Sequence, residues 1–326
     1  MGRKVLVTGA GGFIASHLVE RLVLRGDSVR ALVHYNSANH WFNLDEVDPE
    51  YLREVEVVPG DVTDADVMQR AVSGIDAVFH LAALIGIPYS YMAPRSYVQV
   101  NVVGTMTVAQ ACLNAGVGRL VHVSTSEAYG SAQYVPMDER HPLQAQSPYS
   151  ATKIAADKMI ESYWHSFGLP ACIVRPFNTY GPRQSARAIV PTIITQALAG
   201  DEISLGSTTP IRDLTYVTDT ADGLIAAAGS TEGVGQTVNL GSGQGVSIAE
   251  LVDVVGQLIG RRLHVRTDAR RLRPATSEVD RLISDNSKAG TVLGWRPRVT
   301  LQTGLERTIE YLERRLSSYK VKEYVV

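Results

Sequence analysis

Short runs rich in β-branched residues alternate with helical patterns through the first half of this chain. The runs that precede residue 177 are Lys4–Thr8, Ser28–Val33, Val55–Val58, Ala77–His80, Leu120–Val123 and Ala171–Val174. Parallel strands need a crossover connection between them, and that crossover is usually a helix. The alternation therefore predicts an α/β fold built on a doubly wound parallel sheet.

Beyond Pro176 the chain has more turn residues and shorter helical patterns. Two strand-like runs, Thr215–Val217 and Thr237–Leu240, could return to the main sheet, so we expect a smaller α/β domain interleaved with the first. The predicted boundaries are 1–175 and 213–241 for the main domain, and 176–212 and 242–326 for the smaller, C-terminal domain.

Capping residues mark where helices should begin. Ser147-Pro148 has the preferred cap and first helical residue, and Thr303 with Glu306 has the spacing of a capping box. An apolar stripe follows the second of these starts and predicts a core-facing helix. The stripe consists of Leu305, Ile309, Leu312 and Leu316.

Charge and cysteine content exclude several classes of protein. The 326 residues carry a formal charge of −2, so net charge gives no reason to expect nucleic acid or a membrane as a partner. Cys112 and Cys172 lie in apolar patterns typical of buried free thiols in a reducing compartment. No signal-peptide pattern or membrane-length apolar run is present. We expect a cytoplasmic protein without a metal site.

A glycine-rich turn, Thr8–His17, follows the first strand-like run and opens a helical pattern. Its glycines allow a tight turn and a close backbone approach to a pyrophosphate, which the free N–H groups of the helix start would bind. With a strand before it and a helix after it, this turn predicts a dinucleotide-binding, Rossmann-type domain. The expected cofactor contacts are Gly9, Gly11, Gly12, Phe13 and Ile14.

The residues after the second run bear on the choice of cofactor. His34–Ser37 contains neither the acid expected for the ribose of NAD nor an Arg for the 2′-phosphate of NADP. NAD is favoured because no Arg or Lys follows this strand, while NADP stays open, and Asn36 is expected near the cofactor. Asp61, followed by Val62, is placed to accept a hydrogen bond from adenine; the alternative is a carboxylate that caps a turn.

Three side chains form a candidate reacting centre. Tyr149 and Lys153 are four residues apart and share one helix face. An ordinary phenol, with a pKa of about 10, is a poor base, but Lys153 and a positive nicotinamide ring would stabilise its phenolate. Thr125, at the end of the preceding strand, can bind the same substrate oxygen. This triad predicts hydride transfer coupled to proton removal by Tyr149.

These features together resemble the extended short-chain dehydrogenase/reductase family that acts on nucleotide sugars. The resemblance is carried by the glycine turn, Asn101, Thr125-Ser126-Glu127 and Tyr149-x-x-x-Lys153. Two further segments, Ile87–Tyr91 and Gln184–Thr192, are similar to NDP-sugar 4,6-dehydratases of the legionaminic-acid type.

The resemblance implies a set of ligand contacts and a partner. Further cofactor contacts are expected from Leu81, Ala82, Ala83, Asn101, Tyr149, Lys153 and Pro176. Contacts with a nucleotide-diphosphate sugar are expected from Tyr89, Thr125, Asn178, Arg183, Arg187, Val190, Arg212, Asn239 and Arg273. A homodimer is also implied, in which segments 96–115 and 149–167 pair into a four-helix bundle.

Glu127 narrows the expected reaction, because the triad alone does not need it. Once C4 of the sugar is a ketone, the C5 proton becomes acidic, and Glu127 can remove it as a general base. Loss of the C6 hydroxyl and return of hydride to C6 then give a 4-keto-6-deoxy sugar. Ser126 stands where the dTDP-glucose dehydratases have Asp, so the acid for the leaving hydroxyl is open. By resemblance, the substrate is UDP- or GDP-N-acetylglucosamine.

Other functions remain open at this stage. UDP-glucuronate decarboxylases also resemble the Thr-Ser-Glu-x-Tyr-Gly segment, and a C4 epimerase would use the same triad. A catalytically silent, cofactor-sensing binding protein would be expected to have a broken triad, whereas this one is intact. The product distinguishes the enzymes: loss of water, loss of carbon dioxide, or no change in mass.

Overall fold

The structure, a computed structural model, describes residues 2–272 and 279–319. Its strands are β1 (Lys4–Thr8), β2 (Ser28–Val33), β3 (Val55–Pro59), β4 (Ala77–His80), β5 (Arg119–Val123), β6 (Ala171–Pro176), β7 (Asn178–Tyr180), β8 (Glu202–Leu205), β9 (Ile211–Tyr216), β10 (Thr237–Leu240), β11 (Gly245–Ser247), β12 (His264–Thr267) and β13 (Arg281–Leu282). Its α-helices are α1 (Phe13–Leu24), α2 (Pro49–Leu52), α3 (Ala65–Ala71), α4 (Ile87–Met92), α5 (Pro94–Tyr97), α6 (Gly104–Ala115), α7 (Pro148–Phe167), α8 (Ile189–Ala199), α9 (Val217–Gly229), α10 (Ile248–Ile259) and α11 (Leu301–Glu313).

Seven of the described strands form one parallel sheet in the order β3-β2-β1-β4-β5-β6-β10. The chain order reverses between β1 and β4, where Thr8 lies opposite His80. In open sheets of this kind, the crevice at the carboxyl ends of the strands beside such a reversal is the usual ligand site. The predicted doubly wound parallel sheet is confirmed.

Helices cover both faces of this sheet, which is why its strands are apolar almost throughout. On one face, Leu18 of α1 and Leu224 of α9 pack against Val5 and Val121 of the sheet. On the other face, α3, α6 and α7 close a second core around the fully buried Leu120. Two buried layers hold the carboxyl ends of β1, β4 and β5 in fixed relative positions.

A smaller sheet and its helices follow β6. β9 lies between β11 and β13 and also pairs with β7, and α8, α10 and α11 pack around it. β10 returns to the main sheet as expected, with Val238 opposite Val174. The expectation that Thr215–Val217 would also return is wrong, because Thr215 pairs with Thr179 in the smaller sheet and Val217 opens α9. Strand propensity does not specify the partner strand.

The cap of α11 also differs from the sequence prediction. Thr300 is the cap, and its hydroxyl accepts from the Thr303 N–H, so the helix begins one turn earlier than expected. Asp219 explains this start, because its carboxylate accepts from the N–H groups of Arg298 and Val299 and fixes the incoming chain. Leu316 lies beyond the helix in a 3₁₀ turn. The Ser147 cap of α7 is confirmed.

Two observations concern the class of protein. Among the described residues, no helix combines the length and apolar character needed to cross a bilayer. Cys112 and Cys172 are both buried free thiols, as expected.

Candidate active site

Thr125, Tyr149 and Lys153 come together at the carboxyl end of β5. Thr125 precedes a 3₁₀ turn, Ser126–Tyr129, and its hydroxyl accepts from the Glu127 N–H at 3.2 Å. The Tyr149 hydroxyl is hydrogen-bonded with Thr125. Lys153, one turn further along α7, donates from Nζ to the Val123 carbonyl at 2.8 Å. The three predicted triad residues therefore form one buried cluster.

The electrostatics of this cluster follow from its burial. Burial raises the pKa of Tyr149, and the hydrogen bond with Thr125 offsets only part of that rise. Burial lowers the pKa of Lys153 to about 8, against the opposing influence of Asp157. Tyr149 thus needs a positive charge on its open side before it can act as a base near neutral pH.

Glu127 belongs to the same cluster. Its side chain is partly exposed, and its charge is close enough to Tyr149 to raise the pKa of that phenol further. Ser126, beside it in the 3₁₀ turn, is buried. The structure thus brings the carboxylate that the sequence singled out to the edge of the triad.

The glycine turn presents a helix N-terminus to the same crevice. α1 begins at Phe13, with Ile14 following and Gly12 as its N-cap residue. In the described part of the chain no side chain caps this end, and the first turn holds no acidic residue. Free N–H groups with no negative neighbour are what a pyrophosphate requires. This end of α1 therefore fits the predicted dinucleotide.

Gly9 holds the turn against the loop that follows β4. It has φ +67°, and a Cβ there would lie 2.8 Å from both N and Cα of Ala82. Ala82 itself donates from N–H to the Thr8 hydroxyl at 3.2 Å. Leu81, Ala82 and Ala83 consequently run directly beside the glycine turn, where cofactor contacts were expected.

Gly11 also has a neighbour within the protein that the sequence did not indicate. A Cβ on Gly11 would lie 2.8 Å from the Trp41 carbonyl and 3.0 Å from the Phe42 ring. The Asn43 N–H also donates to the Gly11 carbonyl at 3.1 Å. The segment after β2 thus packs onto the glycine turn, and the lack of a side chain at Gly11 makes room for protein atoms. Nothing in the spacing of the glycines indicated this contact.

The positions expected near the adenosine half are partly engaged within the protein. Asn36 bonds its own loop, donating to the His40 carbonyl at 2.9 Å. Asp61 Oδ1 accepts from both the N–H and the hydroxyl of Thr63 at 2.8 Å, and Oδ2 lies 3.9 Å from His34 Nδ1. Asp61 Oδ1 therefore caps a turn, as in the alternative raised from the sequence, and the contact of Asp61 with adenine stays a prediction. Val62 is buried.

Asn101 links two parts of the site from behind. Its side chain accepts from the Leu84 N–H at 2.8 Å, donates to the Leu84 carbonyl at 3.0 Å, and donates to the Thr152 hydroxyl at 3.1 Å. Asn101 is almost completely buried and makes all of these bonds within the protein, so it holds the loop after β4 against α7. Its contact with the cofactor stays a prediction.

The structure describes three further predicted substrate positions, Asn178, Arg187 and Tyr89. Asn178 follows Pro176, the buried end of β6, and among the described residues its Oδ1 is buried without a hydrogen-bond partner. Arg187 is exposed, and one of its guanidinium nitrogens lies 3.8 Å from the Cβ position of Gly86. Tyr89 is also exposed. An unpartnered buried carbonyl oxygen is expected to find a partner when ligand binds.

The side chains at other predicted substrate positions contact groups within the protein. Arg183 donates to Glu20 on α1 at 2.7 Å. Val190 packs in the core of the smaller domain. Asn239 is fully buried, accepts from the Tyr129 hydroxyl at 2.7 Å and donates to the Met137 carbonyl at 3.1 Å. These contacts argue against the direct substrate contact expected of Asn239.

Of the two arginines expected to bind the diphosphate, the structure describes one. Arg212 is buried on β9 and donates to the Ile211 carbonyl at 3.0 Å. Its neighbour Asp213 accepts from the Ser242 N–H at 2.7 Å and so ties β9 to the loop after β10. Arg273 lies outside the described residues.

Gly9→Ala should disrupt this site more than an equivalent change elsewhere. A left-handed alanine costs about 1–2 kcal/mol by itself, and here the added Cβ would also meet the Ala82 backbone. We expect a larger loss of thermal stability and about tenfold or more weaker NAD binding, measured by thermal unfolding and calorimetric titration.

Gly74→Ala is the matched control for that experiment. Gly74 also has positive φ, +70°, but a Cβ there meets nothing within 4 Å. It should lose only the backbone contribution and bind NAD normally. Equal effects of the two substitutions on both measurements would rule out a special role for the Gly9–Ala82 contact.

A Rossmann-type sheet with a glycine turn after β1 and a Thr-Tyr-Lys cluster at the carboxyl end of β5 defines a member of the extended short-chain dehydrogenases/reductases. Residues 6–308 match the family described as GDP-mannose 4,6 dehydratase. The chain belongs to that family.

Curated proteins that are similar in sequence to this chain have different activities. A UDP-glucose 4-epimerase of Mycolicibacterium smegmatis is 34% identical over 94% of this chain and 98% of its own length. A dTDP-glucose 4,6-dehydratase of Actinoplanes sp. is 32% identical over 94% of this chain and 97% of its own. A UDP-glucuronic acid decarboxylase of Xenopus tropicalis is 28% identical over 99% of this chain and 75% of its own.

A solved structure is similarly close. The dTDP-glucose 4,6-dehydratase DesIV of Streptomyces venezuelae, crystallised with NAD bound, superposes with a TM-score of 0.86 at 30% identity and covers 97% of this chain and 99% of its own. The fold and the class of enzyme are thereby established, while the relatives divide among dehydration, epimerisation and decarboxylation.

Proposed function

We propose that this protein is an NAD-dependent nucleotide-sugar 4,6-dehydratase of the legionaminic-acid type. One observation carries the proposal: Glu127 stands in the turn that begins at Thr125, close enough to Tyr149 for its charge to raise the pKa of the phenol. Oxidation at C4 needs only Thr125, Tyr149 and Lys153. A carboxylate beside them supplies the general base that elimination across C5 and C6 requires.

NAD would be held by the uncapped start of α1, the glycine turn and the loop Leu81–Ala83. When bound, it would supply a hydride acceptor for the oxidation at C4 and a hydride donor for C6. Its positive ring also provides the charge that a buried Tyr149 needs. The absence of an Arg or Lys directly after β2 favours NAD over NADP.

The side chains then divide the proton transfers. Tyr149 takes the C4 hydroxyl proton, with Lys153 stabilising the phenolate and Thr125 holding the same oxygen. Glu127 removes the C5 proton, and the C6 hydroxyl leaves as water. Ser126 is neutral, so Glu127, which then carries the C5 proton, is the candidate acid for the leaving hydroxyl. This requires C5–H and C6–OH to face the same side chain. Once hydride is on C6, C5 takes a proton from solvent, and Tyr149 releases the C4 hydroxyl proton to solvent.

The substrate proposed is UDP- or GDP-N-acetylglucosamine. Arg212 and Arg273 would bind the diphosphate, since guanidinium groups pair with phosphate oxygens in a fixed geometry. The proposed substrate contact of Asn178 is through Oδ1, which is buried and has no hydrogen-bond partner among the described residues. We further propose a cytoplasmic homodimer, paired through α6 and α7.

The deciding experiment offers the purified protein and NAD a panel of UDP-, GDP- and dTDP-sugars in heavy water. A dehydratase releases a product lighter by one water with deuterium at C5. A product of unchanged mass would make the protein a C4 epimerase, which the 34% identical relative favours. Loss of carbon dioxide from UDP-glucuronate would make it a decarboxylase. If none of the sugars reduced the bound cofactor, the protein would instead be a cofactor-sensing binding protein.

A further inference from the structure

A buried chain of polar side chains lies behind the candidate active site. It begins at Asp157, one helical turn after Lys153 on α7, and passes through Arg175 on β6 and Tyr129 in the 3₁₀ turn to Asn239 on β10. All four are almost inaccessible to solvent, with Asp157, Tyr129 and Asn239 at 0% and Arg175 at 3% exposure. None of them has a part in the chemistry proposed above.

Arg175 makes contacts in two directions. Its Nε and Nη2 donate to Asp157 Oδ2 at 3.0 and 2.8 Å. Its Nη1 donates to the Tyr129 hydroxyl at 3.0 Å, and the guanidinium carbon lies 4.9 Å from the centre of the Tyr129 ring. The Tyr129 hydroxyl in turn donates to Asn239 Oδ1 at 2.7 Å. Arg175 therefore joins α7 to the turn after β5.

These two elements carry the two halves of the chemistry. α7 carries Tyr149 and Lys153, while the turn carries Glu127, two residues before Tyr129. A buried charge is costly unless it is paired and hydrogen-bonded. Breaking the bonds of Arg175 with Asp157 or Tyr129 therefore costs free energy, because the buried charge would lose a partner. These bonds fix the distance between α7 and the turn that carries Glu127.

We propose that Arg175 is a positioning residue that holds the Glu127 turn in register with the Tyr149–Lys153 helix. The inference rests on the proposed function, since it assigns elimination to Glu127. Oxidation at C4 and proton removal at C5 act on adjacent carbons of one bound sugar. The bridge through Asp157, Arg175 and Tyr129 keeps both groups aimed at a single substrate pose.

The Tyr129 hydroxyl is the sharpest point at which to test the bridge. Tyr129→Phe keeps the buried ring but removes the bonds with Arg175 and Asn239. α7 retains the Asp157–Arg175 pair, its Ser147 cap and the contact of Thr152 with Asn101. Loss of the bridge should therefore displace the Glu127 turn and leave the Tyr149–Lys153 helix in place.

We expect Tyr129→Phe to slow the elimination of water and to leave the oxidation at C4 nearly unchanged. Misplacement of a catalytic group by about 1 Å costs on the order of 10²-fold in rate. Release of dehydrated product and deuterium uptake at C5 should fall by roughly 10- to 100-fold. The rate at which substrate reduces bound NAD should change little. Both rates are measured in single turnovers, by absorbance for the cofactor and by mass spectrometry for the product.

Tyr134→Phe is the control, because Tyr134 is exposed and its hydroxyl bonds only Asp138 among the described residues. It should leave both steps unchanged. If Tyr129→Phe left both steps unchanged, slowed them equally, or slowed only cofactor reduction, Arg175 would not be positioning Glu127. If the wild-type protein itself released no dehydrated product, the proposed function would fail, and this inference with it.

Discussion

Replacing Glu127 by Gln is expected to stop the elimination of water while leaving the first oxidation in place. The amide keeps the size of the side chain but cannot accept the C5 proton, and loss of a general base typically costs 10²- to 10⁴-fold. Substrate should still reduce bound NAD, because Thr125, Tyr149 and Lys153 are untouched. The reduced cofactor should then persist, and absorbance and product mass would record both events.

A pH signature accompanies that result. The negative charge of Glu127 raises the pKa of Tyr149, so removing it should lower that pKa. Cofactor reduction by the Glu127→Gln variant should therefore reach its half-maximal rate at a lower pH than in the wild type. Glu54→Gln, at an exposed position just before β3, should change neither the pKa of Tyr149 nor the pH at which cofactor reduction is half-maximal. Full turnover by the Glu127→Gln variant would remove Glu127 from the mechanism.

Replacing Tyr149 by Phe should block the reaction one step earlier. Without the phenol nothing takes the C4 hydroxyl proton as hydride leaves, and the expected loss is again about 10²- to 10⁴-fold. NAD should still bind, because Lys153 keeps its bond to the Val123 carbonyl and the glycine turn is unchanged. Titration with NAD and single-turnover absorbance separate binding from chemistry.

The two variants should fail in distinguishable ways. Glu127→Gln accumulates reduced cofactor, whereas Tyr149→Phe forms none. Unchanged cofactor reduction by substrate in Tyr149→Phe would refute the role of Tyr149 as base. Failure of both variants to bind NAD would instead indicate that the substitutions disturb the fold.

Local patterns predicted the features of this protein that are themselves local. β1, β2 and β4 have the bounds expected from their apolar runs, and the Ser147 cap starts α7 where expected. The triad could be predicted because Tyr149 and Lys153 share a helix face and Thr125 comes directly after the strand that precedes that helix. Asp61 could be assigned only to two alternatives, since a turn cap and a ligand contact use the same residue type.

Contacts between distant segments could not be predicted in this way. Thr215 pairs with Thr179, Arg183 pairs with Glu20 and Gly11 packs against Trp41, and each contact depends on how separate elements meet. One signal for the buried network was present, since Asp157 lies four residues after Lys153 and must share its helix face. Its partners Arg175 and Tyr129 become visible only when the sheet order is known.

The position of β10 at the edge of the main sheet has a consequence for biosynthesis. Tyr129 and its acceptor Asn239 are 110 residues apart, so at typical elongation rates the second is made about 5 to 20 s after the first. Until then β6 is an unpaired apolar edge, a surface prone to join other chains. The nascent protein must therefore keep the edge of β6 from pairing with other chains until Leu240 has been made. When β10 pairs with β6, Asn239 also reaches the Tyr129 hydroxyl and so completes the support of the turn that carries Glu127.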